Sequence, residues 1–212
     1  MSMADLVAEA MGSHYRRTFS EFGPTSKGAD WGKEEDLELR YRKMLNVMKH
    51  DHGSRIDRPT VLDVGCGFGG LASFAPSIGC DAAFTGIDLV REMLDCAATR
   101  HPDHDWIQGD AMRFDFSSDF DYVVCNGILT QKLQVGQQEM EEYACDLVKR
   151  MFSLARRGIA FNIMSDRVNF TVPNLFYKDP LWMTRYCMDN LSRKTVLDHA
   201  YPLYEYTLYV YR

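Results

Sequence analysis

The chain has no long hydrophobic segment. Its 212 residues contain no apolar run that approaches the roughly 18 residues a membrane-spanning helix requires. The first residues, MSMADLVAEAMGSHYRR, lack the basic region, the apolar core and the cleavage site of a secretion signal. We therefore predict a cytoplasmic protein that has no membrane partner.

Closely spaced cysteines are also missing. No two of the six cysteines form the C-x-x-C pair that is typical of zinc sites. Their scatter argues against a disulfide framework as well, so we expect reduced, mostly buried thiols and no metal site. The six are Cys66, Cys80, Cys96, Cys125, Cys145 and Cys187.

The chain has fewer basic residues than acidic residues. The chain carries 24 Lys and Arg against 30 Asp and Glu, which gives a formal net charge of −6. A protein this acidic is a poor general binder of nucleic acid, because neutralising phosphates needs a basic surface. The length suits one domain with a sizeable core, and the sequence permits homo-oligomers.

The N-terminal region contains two helical patterns and a loop. Residues 4–17 are weakly amphipathic, whereas residues 33–50 place Leu37, Tyr41 and Met44 on one apolar face. Between them, FGPTSKGADWG is rich in glycine and also contains proline, which predicts a loop. We expect a helical segment over residues 1–55, followed by the main domain over residues 56–212.

From residue 60 onward, short apolar strands alternate with helices, which predicts a parallel sheet covered on both faces. Residues 194–212 instead predict two strands joined by a tight turn near Tyr201 and Pro202. The fold class is therefore doubly wound α/β, with a mostly parallel seven-stranded sheet and a C-terminal antiparallel hairpin. The parallel strands are expected within residues 60–65, 82–89, 105–111, 120–129 and 158–165.

The turn after the first strand fits two ligand-binding patterns. In VLDVGCGFGG, the residues Gly65, Gly67 and Gly70 fit G-x-G-x-x-G, which is typical of dinucleotide sites. Gly65, Gly67 and Gly69 fit G-x-G-x-G, which is typical of methyl-donor sites. The glycines alone do not decide between the two.

Taken together, four motifs resemble the class I S-adenosylmethionine-dependent methyltransferases. They are VLDVGCGFGG, GIDL, GDA and VVCNGIL, and their order and spacing agree with that family. The closing antiparallel hairpin agrees as well, and the resemblance extends over about residues 60–212. It implies a methyltransferase that uses S-adenosylmethionine as its cofactor.

The resemblance implies a set of donor contacts. In the family, the methionine part of the donor lies against the glycine turn, and an acid at the position of Asp110 faces the adenine amino group. Asp88 ends the second strand, where an acid can accept hydrogen bonds from both ribose hydroxyls. The expected donor site comprises Asp63, Gly65, Cys66, Gly67, Gly69, Asp88, Leu89, Asp110, Ala111, Asn126, Gly127, Trp31 and Arg40.

The acceptor is expected beyond the carboxyl ends of the strands, where parallel sheets bind ligands. The fifth strand ends near Asn162 and Asp166, and Tyr201 lies in the turn before the last strand. His199 is a candidate general base in that turn, because histidine exchanges protons near neutral pH. A turn histidine without a catalytic role is the alternative interpretation.

Many members of the family also fold an N-terminal helical segment over the donor. The resemblance thus implies that residues 1–55 form a lid. This lid would bring His14, a second candidate base, and Tyr15, a candidate acceptor contact, to the same site. Trp31 and Arg40 would come with them.

These observations predict methyl transfer to oxygen or nitrogen of a small metabolite or natural-product intermediate. CNGILTQ replaces the Asn/Asp-Pro-Pro-aromatic motif of many nucleic-acid base methyltransferases, which disfavours that activity. Three alternatives stay open: a nicotinamide-dependent oxidoreductase, a noncatalytic S-adenosylmethionine-binding module, and an RNA or protein methyltransferase. The first shares the glycine turn and Asp88.

Overall fold

The centre of the structure is an eight-stranded sheet. The structure is a computed structural model that describes residues 3–212, with side chains from Asp5 onward, so residues 1 and 2 of the expected lid lie outside it. The strands are β1 (Thr60–Val64), β2 (Ala83–Asp88), β3 (Asp105–Gln108), β4 (Phe120–Cys125), β5 (Ala155–Ser165), β6 (Tyr177–Lys178), β7 (Thr195–Asp198) and β8 (Glu205–Tyr211).

The strand order confirms the predicted fold class. The main path runs β3-β2-β1-β4-β5-β8-β7, and all pairs from β3 to β5 are parallel. β8 is antiparallel to both β5 and β7, so the last strand of the chain inserts between them. The sequence did not predict the two-residue β6, which pairs in parallel with the end of β5. The hairpin connection is also longer than the predicted tight turn, because β7 ends at Asp198 and β8 begins at Glu205.

Within residues 3–212, six α-helices surround the sheet on both faces. The group of α1, α5 and α6 shares one buried apolar cluster with the sheet, whereas α2 and α3 share the other. In residues 3–212, no helix combines the length and the hydropathy needed to cross a membrane. The helices are α1 (Met3–Phe22), α2 (Glu34–Lys49), α3 (Gly70–Phe74), α4 (Arg91–Arg100), α5 (Gln137–Leu154) and α6 (Pro180–Asn190).

Two helices end for a local reason. α3 has α-helical geometry only to Phe74, and a 3₁₀ turn containing Pro76 follows, since proline has no backbone N–H to continue the ladder. α5 ends at Leu154, because Ala155 already pairs with Phe120 across the sheet.

Two tyrosines of β8 fix α2 against the sheet. The hydroxyl of Tyr209 donates to the backbone carbonyl of Lys43 at 2.9 Å, and that of Tyr211 donates to the carbonyl of Val47 at 2.8 Å. Both rings are buried. Tyr209 and Tyr211, which are two residues apart on β8, therefore position the helix that carries Arg40.

The buried bond of Tyr211 predicts a measurable loss of stability. We expect Tyr211→Phe to lower the free energy of unfolding by about 1 kcal/mol, because the buried Val47 carbonyl loses a donor. Urea unfolding with an unchanged m-value is the measurement. Tyr204→Phe is the matched control, since Tyr204 is 61% exposed, and it should leave stability unchanged. Equal stabilities of the two variants would show that the Tyr211 bond contributes nothing.

Candidate active site

A cavity opens at the carboxyl edge of the sheet, where β1, β2 and β4 end. Val64 and Ile87 lie at its base, and Tyr143 and Leu147 of α5 line one side. α1 covers it with residues spaced three or four positions apart, which places them on one face of the helix. These covering residues are Ala8, Met11, Gly12 and Tyr15.

The glycine turn after β1 uses backbone geometry that favours glycine. The φ angles are +74° at Gly65, +53° at Gly67 and +78° at Gly69, all in the left-handed region. A Cβ on Gly65 would lie 2.7 Å from a methyl of Ile128, so the turn also needs the space. The Gly67 N–H donates to Oδ2 of Asp88 at 2.9 Å, which ties the turn to the end of β2.

Two acidic side chains lie close together beside this turn. Asp63 is 5% exposed, and burial together with the charge of Asp88 raises its pKa to about 7. Burial also raises the pKa of Asp88, although backbone N–H donors, including those of Val90 and Gly67, oppose the rise. Neither carboxyl group forms an ion pair with a described residue, so a cationic ligand beside them would be stabilised.

Asn126 lines the cavity and has a buried side-chain oxygen, Oδ1, that lacks a partner among the described residues. A buried acceptor without a donor costs about 1 to 3 kcal/mol. A ligand with an N–H group at this position would remove that cost.

A buried polar network supports the turn that follows β4. The Nε–H of Arg40 donates to Glu205 at 3.0 Å, and Glu205 also accepts from the amide of Asn162 at 3.3 Å. Oδ1 of Asn162 accepts from the Gly127 N–H at 2.9 Å. The Arg40 guanidinium lies 4.0 Å from the centre of the Trp31 ring, and a Cβ on Gly127 would lie 2.6 Å from the same ring.

Comparison with known proteins identifies the family. Residues 61–142 match the family model described as a methyltransferase domain. The chain is also 30% identical over 156 residues to "Putative methyltransferase Rv1506c" of Mycobacterium tuberculosis, an alignment that covers 71% of this chain and 92% of that protein. The chain belongs to the S-adenosylmethionine-dependent methyltransferases.

Solved structures of methyltransferases share the fold. The magnesium protoporphyrin IX methyltransferase ChlM of Synechocystis PCC 6803, with bound S-adenosylhomocysteine, superposes with a TM-score of 0.65 at 16% identity and covers all of both chains. The N-methyltransferase NodS of Bradyrhizobium japonicum WM9 gives a TM-score of 0.66 at 14% identity, over 96% of this chain and 98% of that one.

The cavity suits S-adenosylmethionine, the cofactor of this methyltransferase. The donor is cationic at sulfur, and the cavity brings carboxyl groups, an acceptor oxygen without a donor and a glycine turn to one place. Its remaining lining is largely apolar, which excludes water from a reactive methyl group. Among the described residues, no group of three or more His, Cys, Asp or Glu could hold a metal ion.

The structure brings most of the expected donor residues to the cavity. The expected residues that line it are Gly65, Gly67, Asp88, Leu89, Asp110, Ala111, Asn126 and Trp31. The other five are not among the lining residues. Asp63 and Cys66 are buried, Gly69 approaches the Trp106 ring, Gly127 faces Trp31, and Arg40 donates to Glu205. The sequence could not show that the guanidinium of Arg40 has a protein carboxylate as its partner.

The expected acceptor residues are spread more widely. Tyr15 lines the cavity, but Asn162 is 1% exposed and its amide is engaged by Glu205 and Gly127. Asp166 is exposed and pairs with the neighbouring Arg167 at 3.3 Å.

The turn between β7 and β8 faces α2 rather than the cavity. The hydroxyl of Tyr201 shares a hydrogen bond with Thr207 at 2.9 Å, and Lys43 lies 4.4 Å from its ring centre. His199 is exposed and meets Tyr206 edge-on, with ring centroids 6.0 Å apart. Its role as a base stays a prediction. His14, by contrast, contacts a carboxylate, since its Nε2 lies 2.8 Å from Oδ2 of Asp30.

Several residues of the site were not found from the sequence. Met11 and Gly12 lie on the α1 face that covers the cavity, a stripe that the spacing of residues 8, 11, 12 and 15 could have indicated. Glu205 gave no such signal, because a glutamate among the alternating residues of a strand is normally on the solvent face. Only the packing of α2 against β8 reveals its partner.

The raised pKa of Asp63 predicts a pH-dependent stability. An aspartate in an unfolded chain titrates at about pH 4, whereas that of Asp63 titrates at about 7 in the folded protein. The folded protein therefore holds a proton that the unfolded chain releases, so this contribution to stability is lost as the pH rises from about 4 through about 7. Asp63→Asn should remove a slope of up to about 1.4 kcal/mol per pH unit.

Urea unfolding between about pH 5 and pH 8 measures this slope for the wild type and the variant. Asp95→Asn is the control, because Asp95 is exposed on α4 and its replacement should keep the wild-type slope. If Asp63→Asn and the wild type show parallel profiles, Asp63 is already ionised in the folded protein.

The buried pair of Arg40 and Glu205 predicts a strong coupling. Glu205→Gln should lower the free energy of unfolding by about 3 kcal/mol or more, since it leaves the charge of a buried arginine uncompensated. Combining it with Arg40→Met should restore part of that loss in a double-mutant cycle. Asp198→Asn, which breaks the more exposed pair with Lys43, should cost less. Additive losses for Arg40 and Glu205 would contradict the coupling.

Proposed function

We propose that this methyltransferase transfers the methyl group to oxygen or nitrogen of a small, polar acceptor. The observation that carries this proposal is the position of α1, whose residues cover the donor cavity. An acceptor must pass between α1, the loop before α2 and the turn after β4 to reach the methyl group. A narrow approach of this kind suits a small molecule better than a folded polymer.

S-adenosylmethionine supplies an electrophilic methyl group on its sulfonium. The residues of this chain would bind and orient it: Asp88 would accept from the ribose hydroxyls, and Asp110 and the backbone of Ala111 would contact the adenine. Oδ1 of Asn126 would accept from the amino group of the methionine part. Two observations support these roles. All four residues line the cavity, and Oδ1 of Asn126 has no hydrogen-bond partner among the described residues. The apolar side chains of α1 and α5 keep water from the methyl group, and positioning lowers the barrier.

The structural neighbours support more than one kind of acceptor for this fold. One is named a magnesium protoporphyrin IX methyltransferase and another an N-methyltransferase. The fold alone therefore does not choose the acceptor. The acceptor of this chain must be inferred from its own rim residues.

A release assay for S-adenosylhomocysteine tests the proposal. The acceptor panel contains phenols, hydroxy acids, and primary and secondary amines, with an RNA pool and a peptide pool in separate reactions. We expect turnover with at least one small molecule. Asp88→Asn is the control for the donor, since it should weaken S-adenosylmethionine binding by at least about tenfold. Turnover with the RNA or peptide pool alone would overturn the proposal, and donor binding without any turnover would favour a noncatalytic module.

We further infer that residues 1–55 act as a lid on the domain of residues 56–212. α1 contributes four cavity residues, and Trp31 contributes another from the loop before α2. Because closure would sequester the donor, the amides of α1 should exchange more slowly when S-adenosylhomocysteine is bound. Hydrogen exchange on the free and bound protein measures this, with α6 as the internal reference. Equal protection of α1 in both states would make the segment a fixed part of the domain.

A further inference from the structure

A polar cluster connects the proposed lid with the core, and two of its residues are adjacent in sequence to residues that line the cavity. Oδ2 of Asp30 lies 2.8 Å from Nε2 of His14 and accepts from the amide of Gln131 at 3.0 Å. Oε1 of Gln131 accepts in turn from the amide of Asn174 at 3.2 Å. The cluster joins α1, the loop before α2, the turn after β4 and the loop after β5. None of its four residues is part of the donor contacts described above.

The neighbours of the cluster are cavity residues. Tyr15 follows His14, and its ring meets the imidazole edge-on at 5.2 Å between centroids. Ala29 and Trp31 flank Asp30, and all three flanking residues line the donor cavity. The charge of Asp30 contributes to the raised pKa of Tyr15, after the larger effect of burial. The cluster thus lies one residue away from the donor cavity on two separate elements.

The tautomer of His14 is assigned from the partners of its two ring nitrogens. An NH₂ group of Arg17 lies 3.2 Å from Nδ1, and a guanidinium can only donate, so Nδ1 carries the lone pair. Nε2 then carries the hydrogen and donates it to Asp30. A carboxylate orients one ring nitrogen here, as it does for a general base, and Arg17 occupies the second nitrogen in this structure.

The backbone holds Asp30 in an unusual conformation. Its φ is +59°, in the left-handed region that few residues other than glycine adopt. The turn is fixed by hydrogen bonds from Asp30 N to Lys27 O at 3.0 Å and from Trp31 N to Ser26 O at 2.8 Å. Leu133, two residues after Gln131, has a φ of +52° as well. Strain of this kind persists where the surrounding structure over-determines it, often at functional sites.

We propose that His14 is the general base for a hydroxyl acceptor and that Asp30 positions it. This inference rests on the proposed function and narrows its acceptor from oxygen or nitrogen to oxygen. A neutral amine attacks with its own lone pair, whereas a hydroxyl becomes a strong nucleophile only as its proton leaves. The acceptor O–H takes the place that the exposed Arg17 occupies at Nδ1.

The step balances without a further reactant. The acceptor oxygen forms a bond to the methyl carbon, the carbon–sulfur bond breaks, and its electron pair stays on sulfur to give neutral S-adenosylhomocysteine. The hydroxyl proton moves to Nδ1 of His14. Asp30 stabilises the resulting imidazolium through its bond to Nε2 until solvent removes the proton.

The first test needs no acceptor. In ¹⁵N-histidine spectra of the full chain, His14 should show a protonated Nε2 and an unprotonated Nδ1, and Asp30→Asn should change this signature. His14→Gln assigns the signal by its loss. A protonated Nδ1, or a signature that Asp30→Asn leaves unchanged, would overturn the proposal.

The second test uses the best acceptor from the panel. His14→Gln should lower kcat by about 10²-fold or more, and Asp30→Asn should lower it less, both with unchanged S-adenosylhomocysteine binding in calorimetry. The defect of His14→Gln should shrink along a series of phenols of increasing acidity, because an acidic phenol ionises unaided. His52→Gln, a change at an exposed histidine, should behave as the wild type. Thermal melts confirm that each variant is folded.

The outcomes separate this inference from the proposed function. Methylation of amines alone, or normal turnover of a hydroxyl acceptor by His14→Gln, would overturn the inference and leave the proposed function standing. A loss of turnover in His199→Gln but not in His14→Gln would identify His199, in the turn before β8, as the general base and would overturn the inference. Turnover of no small acceptor would overturn the proposed function and this inference with it.

Discussion

The buried ion pair between Arg40 and Glu205 constrains the whole carboxyl edge of the sheet. Two charges removed from water are tolerated only when each is well paired, and here Asn162 and the Trp31 ring complete the environment. Because Arg40 belongs to α2, Glu205 to β8 and Asn162 to β5, the pair fixes three elements relative to one another. The Gly127 backbone and the Trp31 side chain take their positions from that arrangement.

The donor cavity follows from this frame. The strand ends supply the polar groups, since backbone and carboxyl atoms converge where parallel strands terminate. α1 then covers them with small and apolar side chains, and the close approach of Gly12 to Leu89 shows how near the helix lies. A cationic donor gains from nearby acids that form no ion pair with a described residue, and the apolar side chains that cover the cavity keep water out. Because α1 covers the cavity, we expect the acceptor to enter between α1, the loop before α2 and the turn after β4.

Much of the fold and of the donor site could be predicted from the sequence. Local signals sufficed where a short segment decides its own structure: the glycine turn, the acid that ends β2 and the amphipathic pattern of α2 all lie where expected. Predictions failed or stayed untested where distant segments meet. The roles of His199 and Tyr201 were inferred from their place in a turn, but that turn packs toward α2, where Lys43 contacts Tyr201.

The sequence by itself determined the order of the helices and of the strands other than β6, and its motifs indicated the family, because periodicity, glycine and acid spacing are local properties. Only the tertiary structure decided which partners the charged side chains have. Arg40 and Glu205 are 165 residues apart in the chain, and Asp30 and Gln131 are 101 apart. No local pattern encodes such pairs, since their energy depends on burial and geometry that arise when the chain has folded.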